Sequence, residues 1–485
     1  MLKFPKKDRD LMQPVIEFAK KRKVKLYLVG GALRDLILGR LKENPDFDFA
    51  LKRGAISFGK ALAKELSCGF VILDKEHGSC RLVRKLKHKI CTYDFTDFRG
   101  INIADDLLHR DFSINALALE AHHILSGKDL SLSLIDPYAA RLGINKKIIK
   151  EISRSSFKED PLRVLRAFSF ASILKFKIQP SVFRLIPPVK NKLKAVSGER
   201  VRDELFKIFA TEDAYACLKQ LDKAGILKII FPESSSMRGI GQGPYHHLDV
   251  WNHTLETLKQ LESIFKNVKK TEIIDFLDEI ISAERKRNAL LKLAALLHDV
   301  GKPATLRHEE DGKITFHGHE RAGLNIATAI ARRLKLSNDE INILRRVILW
   351  HLRPGYLSDL EILTARAKFR YFRDTAHEAL SVFLLSLADQ RATKGRLTTA
   401  LSRKRHEKTV GILTKELFKK KEEKKQVRLI TGDDLIREFK LKSSPLIGKL
   451  LSDIEELRAI GKIADKASAL KAAARIIKAS KAKKS

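Results

Sequence analysis

Two aspartates separated by a single residue, Asp46 and Asp48, are the first candidates for catalysis in this 485-residue sequence. They alternate with Phe47 and Phe49, and side chains two residues apart on a β-strand share a face. Both carboxylates would therefore point one way and both rings the other. Side-by-side carboxylates suit Mg²⁺, which proteins usually hold through a few carboxylates plus substrate phosphates. The pattern predicts two Mg²⁺ ions at Asp46 and Asp48, and in-line phosphoryl or nucleotidyl transfer.

The segment before these aspartates has the features of a phosphate-binding turn. The apolar run Leu26 to Val29 predicts a buried strand, and Gly30 and Gly31 follow at once. Without a Cβ, the backbone there can approach a bulky anionic ligand. Ala32 to Leu38 predicts a helix whose first amides would attract phosphate, and Arg34 adds a cation. We expect a nucleoside triphosphate to bind here.

A carboxylate and a guanidinium further on could read a nucleobase. In the segment FKEDPLRVLRAFSF, Asp160 and Pro161 predict a helix start, and Arg163 would share the face of Asp160. Cytosine and adenine each present an amino donor beside a ring acceptor, which match a carboxylate and a guanidinium. Uracil and guanine place a carbonyl oxygen opposite the carboxylate. The pair would therefore select C and A without a template, and Arg166 would reach the phosphates or help position the base.

Four further polar residues lie in two other segments. Leu108 to Leu119 predicts an apolar helix that Arg110 and Asp111 open, with Arg110 as a contact to the triphosphate or sugar. A third carboxylate near the metal ions would come from Asp94 or Asp97, and the pattern does not choose between them.

The composition favours a polyanionic partner and a reducing compartment. Lys and Arg number 95 against 59 Asp and Glu, a formal net charge of +36, which indicates RNA, although a lysine-rich proteome would supply part of this excess. Four widely spaced cysteines suggest core thiols. No apolar run approaches the roughly 20 residues that span a bilayer, so we expect a cytoplasmic protein without a membrane partner. The oligomeric state stays open.

A second group of residues has the composition of a transition-metal site. The candidates lie in predicted helices and are His253, His298, Asp299 and Asp389, with His319 and His351 as further ligands. Imidazoles and carboxylates from separate helices can hold one or two ions such as Mn, Ni, Co or Fe and activate water.

The N-terminal motifs resemble a known family when taken in order. LVGGALRD, DFDF, HRDFSINALAL, EDPLRVLRAF and SGERVRDELFKIF resemble the class II tRNA nucleotidyltransferases and bacterial poly(A) polymerases, of the polymerase-β-like superfamily. The resemblance implies Mg²⁺ at the two aspartates, with tRNA, CTP and ATP as partners. It implies that the nucleotide contacts are Gly31, Arg34, Arg110, Asp160, Arg163 and Arg166.

The second group resembles the HD phosphohydrolase superfamily over about 245–400.

Short strands alternate with helices to about residue 143, and helical periodicity follows. We therefore expect an α/β head with a mixed sheet, followed by an all-α neck, HD body and tail. The predicted boundaries are 1–145 for the nucleotidyltransferase head, 146–212 for the base-recognising neck, 213–402 for the body and 403–485 for a tRNA-binding tail. The segment 232–243 predicts a loop.

Departures from the family pattern keep alternatives open. His109 and Ser169 stand where the family commonly has arginine, and the connection from Arg99 to Arg110 is short, as in members that add CC rather than the complete CCA end. CCA or CC addition to tRNA is the first interpretation and poly(A) addition the second. Two others are an enzyme that is chiefly an HD phosphohydrolase acting on phosphoesters such as 2′,3′-cyclic phosphates, and a non-catalytic RNA-binding protein.

Overall fold

The computed structural model describes residues 1–41, 43–86, 89–422 and 428–482, which divide into two units, Met1–Ile230 and Phe231–Ser485. Each unit has its own core. The first contains the mixed sheet and the helices that follow it, and the second is almost entirely helical. The predicted α/β head followed by helical segments is confirmed.

A seven-stranded mixed sheet organises the first unit, in the order β3-β4-β5-β2-β1-β6-β7. Strands β2 and β5 are parallel, and all other neighbours in the sheet are antiparallel. The strands are β1 Leu26–Val29, β2 Asp46–Leu51, β3 Gly69–Asp74, β4 Ser79–Leu86, β5 Lys89–Asp97, β6 Ala118–Glu120 and β7 Leu134–Ile135; a separate parallel pair is β8 Ile148–Ile149 and β9 Lys177–Ile178.

The two faces of this sheet differ because its central strands alternate aromatic and polar residues. Phe47 and Phe49 of β2 are buried, and each stacks on a ring of β5, Tyr93 at 6.0 Å and Phe95 at 5.5 Å between centroids. Phe58 of the following helix packs against Phe95 at 5.2 Å. One face is therefore packed against helices, which leaves the polar residues of β2 and β5 on the other face.

Eleven α-helices of the described chain belong to the first unit. They are α1 Lys6–Lys21, α2 Gly31–Leu38, α3 Ala55–Glu65, α4 Ile103–Leu108, α5 Ala140–Asn145, α6 Ser156–Glu159, α7 Arg163–Leu174, α8 Pro180–Leu185, α9 Gly198–Phe209, α10 Ala214–Lys223 and α11 Leu227–Ile230. The strand at Leu26–Val29 has the predicted bounds, and α2 begins one residue before its predicted start.

The prediction of a helix from Leu108 to Leu119 was wrong. The segment forms one 3₁₀ turn, Ser113–Asn115, and then strand β6. The Asp111 carboxylate accepts hydrogen bonds from the Phe112 amide and the Asn115 side chain, which stabilises the turn. The apolar residues that follow pair with the second edge of β1. A central strand needs a partner on both edges, and this requirement outweighs the local helical pattern.

The helix predicted to start at Asp160 instead starts at Arg163. Asp160 is extended, with φ −140°, and its Oδ1 accepts a hydrogen bond from the Leu162 amide at 3.1 Å. Pro161 and Leu162 form a turn between α6 and α7. Asp160 therefore forms a local turn ahead of the helix and does not cap it, because the cap position is Leu162.

The second unit packs its helices around α13, α15 and α21. Its helices are α12 Ser234–Met237, α13 Val250–Asn267, α14 Thr271–Asp278, α15 Arg287–Leu297, α16 Lys302–Thr305, α17 His319–Arg333, α18 Asn338–Trp350, α19 Arg353–Ser358, α20 Ala365–Thr375, α21 Ala379–Ala392, α22 Ala400–Glu422, α23 Gly432–Phe439, α24 Pro445–Ala459 and α25 Lys466–Ala482. Two small hairpins are β10 Ile280–Ser282 with β11 Arg285–Lys286, and β12 Arg307–His308 with β13 Ile314–Thr315.

Three smaller expectations can be compared with this fold. The segment 232–243 is not purely a loop, because the one-turn helix α12 lies within it. All four cysteines are free thiols, and Cys80, Cys91 and Cys217 are buried. Within the described ranges, no helix has both the length and the hydropathy to cross a membrane.

Candidate active site

A cleft of about 620 Å³ in the first unit contains every nucleotide-transfer residue predicted from the sequence. Strand β2, the β1–α2 turn, the segment before the 3₁₀ turn, and helix α7 all contribute to its walls. The predicted residues that line it are Gly31, Arg34, Asp46, Asp48, Arg110, Asp160, Arg163 and Arg166.

A row of carboxylates lies along the sheet at the base of the cleft. The parallel register of β2 and β5 places Asp48 opposite Asp94 and Asp46 opposite Thr92, whose hydroxyl donates a hydrogen bond to Asp46. Of the two candidates for a third carboxylate, Asp94 lines the cleft. Asp97 does not, because its Oδ1 accepts the Ala55 amide at 2.7 Å and caps α3.

The electrostatics of this row favour a bound cation. Burial raises the pKa of Asp48 to about 6; Arg110 opposes this shift, and the charges of Asp94 and Asp46 add to it. Arg81 neutralises Asp94 through two hydrogen bonds of 2.7 Å. Asp46 and Asp48 remain as hard oxygen donors facing the cleft, and this donor set fits Mg²⁺.

The turn between β1 and α2 brings the backbone against the carboxylates. Gly30 has φ +77°, and a Cβ built there would lie 2.7 Å from Nη1 of Arg110 and 3.5 Å from Oδ2 of Asp48. The buried Nε of Arg110 has no hydrogen-bond partner among the described residues, and its guanidinium lies 3.7 Å from Asp106. Arg110 therefore retains donor capacity beside the first turn of α2, where a phosphate would bind.

Arg34 is fixed from three sides. Its Nη1 donates to Oδ1 of Asn115 at 2.7 Å, its Nε donates to Asp35 at 2.8 Å, and its guanidinium lies 5.3 Å from the ring centroid of Phe170. A cation held in one orientation loses little entropy on binding an anion, which suits a contact to triphosphate.

We expect Gly30→Ala to lower the affinity for the nucleotide and the rate of transfer together. The methyl group would meet Arg110, and the positive φ of this position would add strain of about 1–3 kcal/mol. Titration of CTP and ATP binding with single-turnover kinetics measures both effects.

The matched control for this substitution is Gly39→Ala at the other end of α2. Gly39 also has a positive φ, +64°, but a Cβ there would meet nothing within 4 Å. We expect the control to lower the melting temperature while leaving nucleotide binding unchanged. Equal losses of binding in both variants would contradict the close approach at Gly30.

The two residues predicted to read the base lie at the start of α7 and are each held by neighbours. Oδ2 of Asp160 accepts from Arg200 at 2.7 Å. Arg163 is buried and donates three hydrogen bonds, two to Ser156 and one to the carbonyl of His109. These use three of its five N–H groups, so the guanidinium retains donors for a base edge.

Arg166, three residues after Arg163 on α7, belongs to a hydrogen-bond network. It donates to Oδ2 of Asp111 at 2.6 and 3.0 Å and to Glu204 at 3.3 Å. Burial lowers the pKa of Arg166, but Asp111 and Glu204 outweigh burial and raise it. Ser169, where the family commonly has arginine, donates to Glu204. Of the two roles considered for Arg166, these contacts favour positioning over phosphate binding.

A second cluster lies in the interior of the other unit and contains all six predicted ligands. They are His253, His298, Asp299, His319, His351 and Asp389. Their ligand atoms form three overlapping groups, each within 4.8 Å. Asp299 is shared between two of these groups, with its Oδ2 3.2 Å from Nε2 of His298 and its Oδ1 3.3 Å from Nε2 of His319.

The imidazoles are oriented as metal ligands would be. Nδ1 of His298, His319 and His351 lies 2.8, 2.9 and 2.7 Å from the backbone carbonyls of Ala295, Phe316 and Ile348. Donation to these carbonyls occupies Nδ1 and leaves Nε2 as the atom that a metal would displace a proton from or bind directly. Each of these three buried Nε2 atoms has no hydrogen-bond partner among the described residues.

The charges of this cluster also favour a cation. Burial lowers the pKa of His298, but Asp299 and Asp389 outweigh it and raise that pKa to about 10. Burial and the neighbouring histidines lower the pKa of His351 to about 3. Nitrogen and carboxylate ligands together fit a transition metal such as Mn, Ni, Co or Fe.

Three family models match successive parts of the chain. The Poly A polymerase head domain matches residues 26–150, the probable RNA and SrmB-binding site of polymerase A matches 175–237, and the HD domain matches 250–394. An A-adding tRNA nucleotidyltransferase of Deinococcus radiodurans is 30% identical over 444 residues, covering 90% of this chain and 92% of the relative. The chain belongs to the tRNA nucleotidyltransferase family. Members of this family generally use a divalent metal.

Other relatives within this family differ in what their names say they add. A CC-adding tRNA nucleotidyltransferase of Synechocystis is 28% identical over 91% of each chain, and a Multifunctional CCA protein of Actinobacillus pleuropneumoniae is 30% identical over 70% of this chain and 77% of its own. The fold is also that of a CCA-adding enzyme solved in complex with CTP (TM-score 0.63, 21% identity, 98% of this chain and 96% of that chain).

Four residues of the cleft and of the buried cluster were not assigned a role from the sequence. Arg81 and Phe170 enter the cleft, Arg200 holds Asp160, and Lys302 donates to Asp299 at 2.6 Å. Phe170 is one turn after Arg166, and Lys302 is three residues after Asp299, so helical spacing could have indicated both. Arg81 required the register of β4 against β5, which the sequence does not reveal.

Proposed function

We propose that this protein adds C, A or both to the 3′ end of tRNA without a nucleic-acid template. One observation carries the proposal: the Asp46 and Asp48 pair and the Asp160 and Arg163 pair line the same cleft. Relatives with A-adding, CC-adding and CCA names support the choice of acceptor and nucleotides.

Different residues of the cleft would bind the triphosphate and the metal. The first turn of α2, with Gly31, would bind the triphosphate together with Arg34 and Arg110. Asp46 and Asp48 would hold Mg²⁺. When bound, Mg²⁺ supplies charge neutralisation for the triphosphate and makes the 3′-hydroxyl of the acceptor a better nucleophile. The protein itself contributes mainly fixed orientation, which is worth several kcal/mol in such a reaction.

The base would be chosen at the start of α7. The Asp160 carboxylate accepts the amino group of cytosine or adenine, and Arg163 donates to the ring acceptors. Arg200 and the Leu162 amide hold Asp160 in place, so the carboxylate cannot turn away to accommodate uracil or guanine. A buried group left unpaired by the wrong base costs about 1–3 kcal/mol.

The connection from Arg99 to Arg110 favours partial addition. It is short and ordered: Asn102 caps α4, and the carboxylate of Asp106 accepts the Arg99 amide. A Cβ on Gly100 would lie 2.3 Å from that of Asp105, so the turn is tightly packed. A short connection resembles members that add CC, whereas those that add the complete end usually carry a longer one.

An extension assay decides among these outcomes. Transcripts of tRNA that end at the unpaired base before CCA, or after CC, are incubated with CTP, ATP or both, and the products are sequenced. We expect a fixed number of added nucleotides, which are C, A or both. On the first transcript we expect CC. Long A tails would favour a poly(A) polymerase, and no extension of either transcript would contradict the proposed function.

The remaining chain would bind the rest of the tRNA. We infer that residues 1–145 and 146–212 supply the head and neck of the active site, and that the body at 213–402 and the tail at 403–485 hold and measure the acceptor. The excess of positive charge over the whole chain supports this division of labour.

A second candidate function is supported by the buried ligand cluster. We propose that the HD site binds a transition metal and hydrolyses phosphoesters such as 2′,3′-cyclic phosphates. When bound, the metal activates water. Nε2 of His298, His319 and His351 is buried without a hydrogen-bond partner in the described part of the chain, which supports metal binding. Lys302 beside Asp299 could bind an anionic substrate.

We expect Asp299→Ala to remove the metal and with it any hydrolysis of 2′,3′-cyclic AMP. Elemental analysis of the purified protein measures the first effect and product release the second. The matched control is Asp46→Ala, which should abolish nucleotide addition and leave hydrolysis intact. Hydrolysis lost in Asp46→Ala but retained in Asp299→Ala would contradict the assignment.

A further inference from the structure

An open strip continues from the carboxylate row along the same face of the sheet. Register pairs Arg81 of β4 with Asp94 on one side and with Val71 of the edge strand β3 on the other. One step along β4, Val83 pairs with Thr92 and Gly69. Paired residues share a face. The strip therefore lies directly beside the candidate metal ligands.

The strip has exposed apolar side chains. Val71 is 53% exposed, and Ile90 of β5, which pairs with Lys85, is 48% exposed. Both lie on the carboxylate face, because Ile90 is four positions before Asp94 on β5 and Val71 pairs with Arg81, which pairs with Asp94. Exposed apolar residues grouped beside a catalytic cleft indicate a binding surface.

The position of the strip relative to the triphosphate limits what can occupy it. The Gly30 turn and α2 follow β1, on one side of β2, whereas β5, β4 and β3 continue on the other side. In an in-line displacement, the attacking hydroxyl and the leaving group lie on opposite sides of the phosphorus. If the pyrophosphate leaves toward Gly30 and Arg110, the hydroxyl must come from the side of β5 and β4.

The chemistry of the strip suits single-stranded RNA. The guanidinium of Arg81 is held flat by two hydrogen bonds to Asp94 while its side chain stays 45% exposed. Unstacked RNA bases commonly stack on arginine planes. Lys85 at the far end is exposed and can bind a phosphate. The apolar side chains Val71 and Ile90 match the faces of bases.

We propose that Val71, Arg81, Val83, Lys85 and Ile90 form the surface that positions the last nucleotides of the RNA acceptor. The terminal base stacks on Arg81, and the preceding phosphate lies toward Lys85. This assignment rests on the proposed function, since it concerns where the acceptor of that same reaction binds. It adds positioning residues that act on the RNA rather than on the nucleotide.

The test uses the full-length protein and a stem-loop RNA that ends at the base before CCA. In Val71→Glu and Ile90→Glu, a negative charge replaces an exposed apolar side chain. We expect KM for the RNA to rise about tenfold, which corresponds to the loss of one base contact, while KM for CTP stays unchanged. The matched control is Ile72→Glu on the same strand. Ile72 is 39% exposed but pairs with the buried Cys80 and faces away from the carboxylates. We expect its KM values to match those of the wild type.

Two results would overturn the assignment, and a third would overturn the proposed function instead. Unchanged KM for RNA in both variants, with normal melting temperatures, would exclude the strip as an RNA surface. A wild-type dimer that becomes monomeric in Val71→Glu would assign β3 to pairing with a second copy. If the wild type extends no RNA with any nucleotide, the proposed function itself fails.

A crosslinking experiment keeps the proposal testable if a variant does not fold. The same RNA carries 4-thiouridine as its last nucleotide and is irradiated with the wild-type protein, and the crosslinked peptide is identified. We expect crosslinks within 69–94. Crosslinks found only elsewhere in the chain would contradict the proposal even if nucleotide addition is normal.

Discussion

Asp48→Ala is expected to abolish nucleotide addition while leaving tRNA binding largely intact. Asp48 lies between Asp46 and Asp94 in the carboxylate row, and the metal held there supplies several kcal/mol of charge stabilisation. Its loss should therefore lower kcat about 10³-fold. Single-turnover addition of C to a tRNA transcript measures the rate, and a filter-binding titration measures the affinity for tRNA.

The control for this substitution is Asp97→Ala on the neighbouring strand. Asp97 is a carboxylate of the same sheet, but it caps α3 and does not line the cleft. We expect it to lower the stability by about 1 kcal/mol, as the loss of a cap does, without lowering kcat. Retained addition in Asp48→Ala would refute the metal assignment. Equal losses of kcat in both variants would show that the loss does not depend on carboxylates that face the cleft.

Asp160→Asn is expected to admit UTP and GTP. The amide oxygen can still accept from Leu162, but the new amino group would donate to the carbonyl oxygen of uracil or guanine and repel the amino group of cytosine or adenine. A bidentate base contact is worth about 1–3 kcal/mol of discrimination, so the ratio of kcat/KM for CTP over UTP should fall roughly tenfold or more. Incorporation of each of the four nucleotides into the same tRNA measures the ratio.

Two further variants separate the base contact of Asp160 from the ion pair that holds its side chain. Arg200→Ala removes the ion pair that Asp160→Asn also disturbs, yet it keeps the carboxylate. We expect Arg200→Ala to weaken nucleotide binding and keep the preference for C and A. Asp160→Ala should loosen the preference without favouring U or G. An unchanged preference in both Asp160 variants would count against selection by the protein.

The sequence predicted the parts of the site that depend on local spacing. Alternation placed Asp46 and Asp48 on one face because a strand has a period of two. The glycine pair predicted a strand-to-helix turn, and helical spacing grouped Asp160, Arg163 and Arg166. The second cluster was found because His298 is followed directly by Asp299, with His253 before them and Asp389 after them, an order that resembles the HD superfamily.

The sequence could not predict features that arise from strand pairing and shared networks. The segment 108–119 has a helical pattern, but its last residues pair with β1 as strand β6. The choice of Asp94 over Asp97 depends on the parallel register of β2 with β5. The pairing of Arg166 with Asp111 joins residues 55 positions apart. Contacts of this kind follow from the tertiary fold, so no local pattern records them.

We propose that one cleft both holds the metal and reads the base. The most direct measurement is a crystal structure with a non-hydrolysable CTP analogue and Mn²⁺, using anomalous scattering to locate the ion. We expect an anomalous peak between Asp46 and Asp48 and the pairing edge of cytosine against Asp160 and Arg163. A peak away from those aspartates, or a base bound with its edge facing solvent, would contradict it.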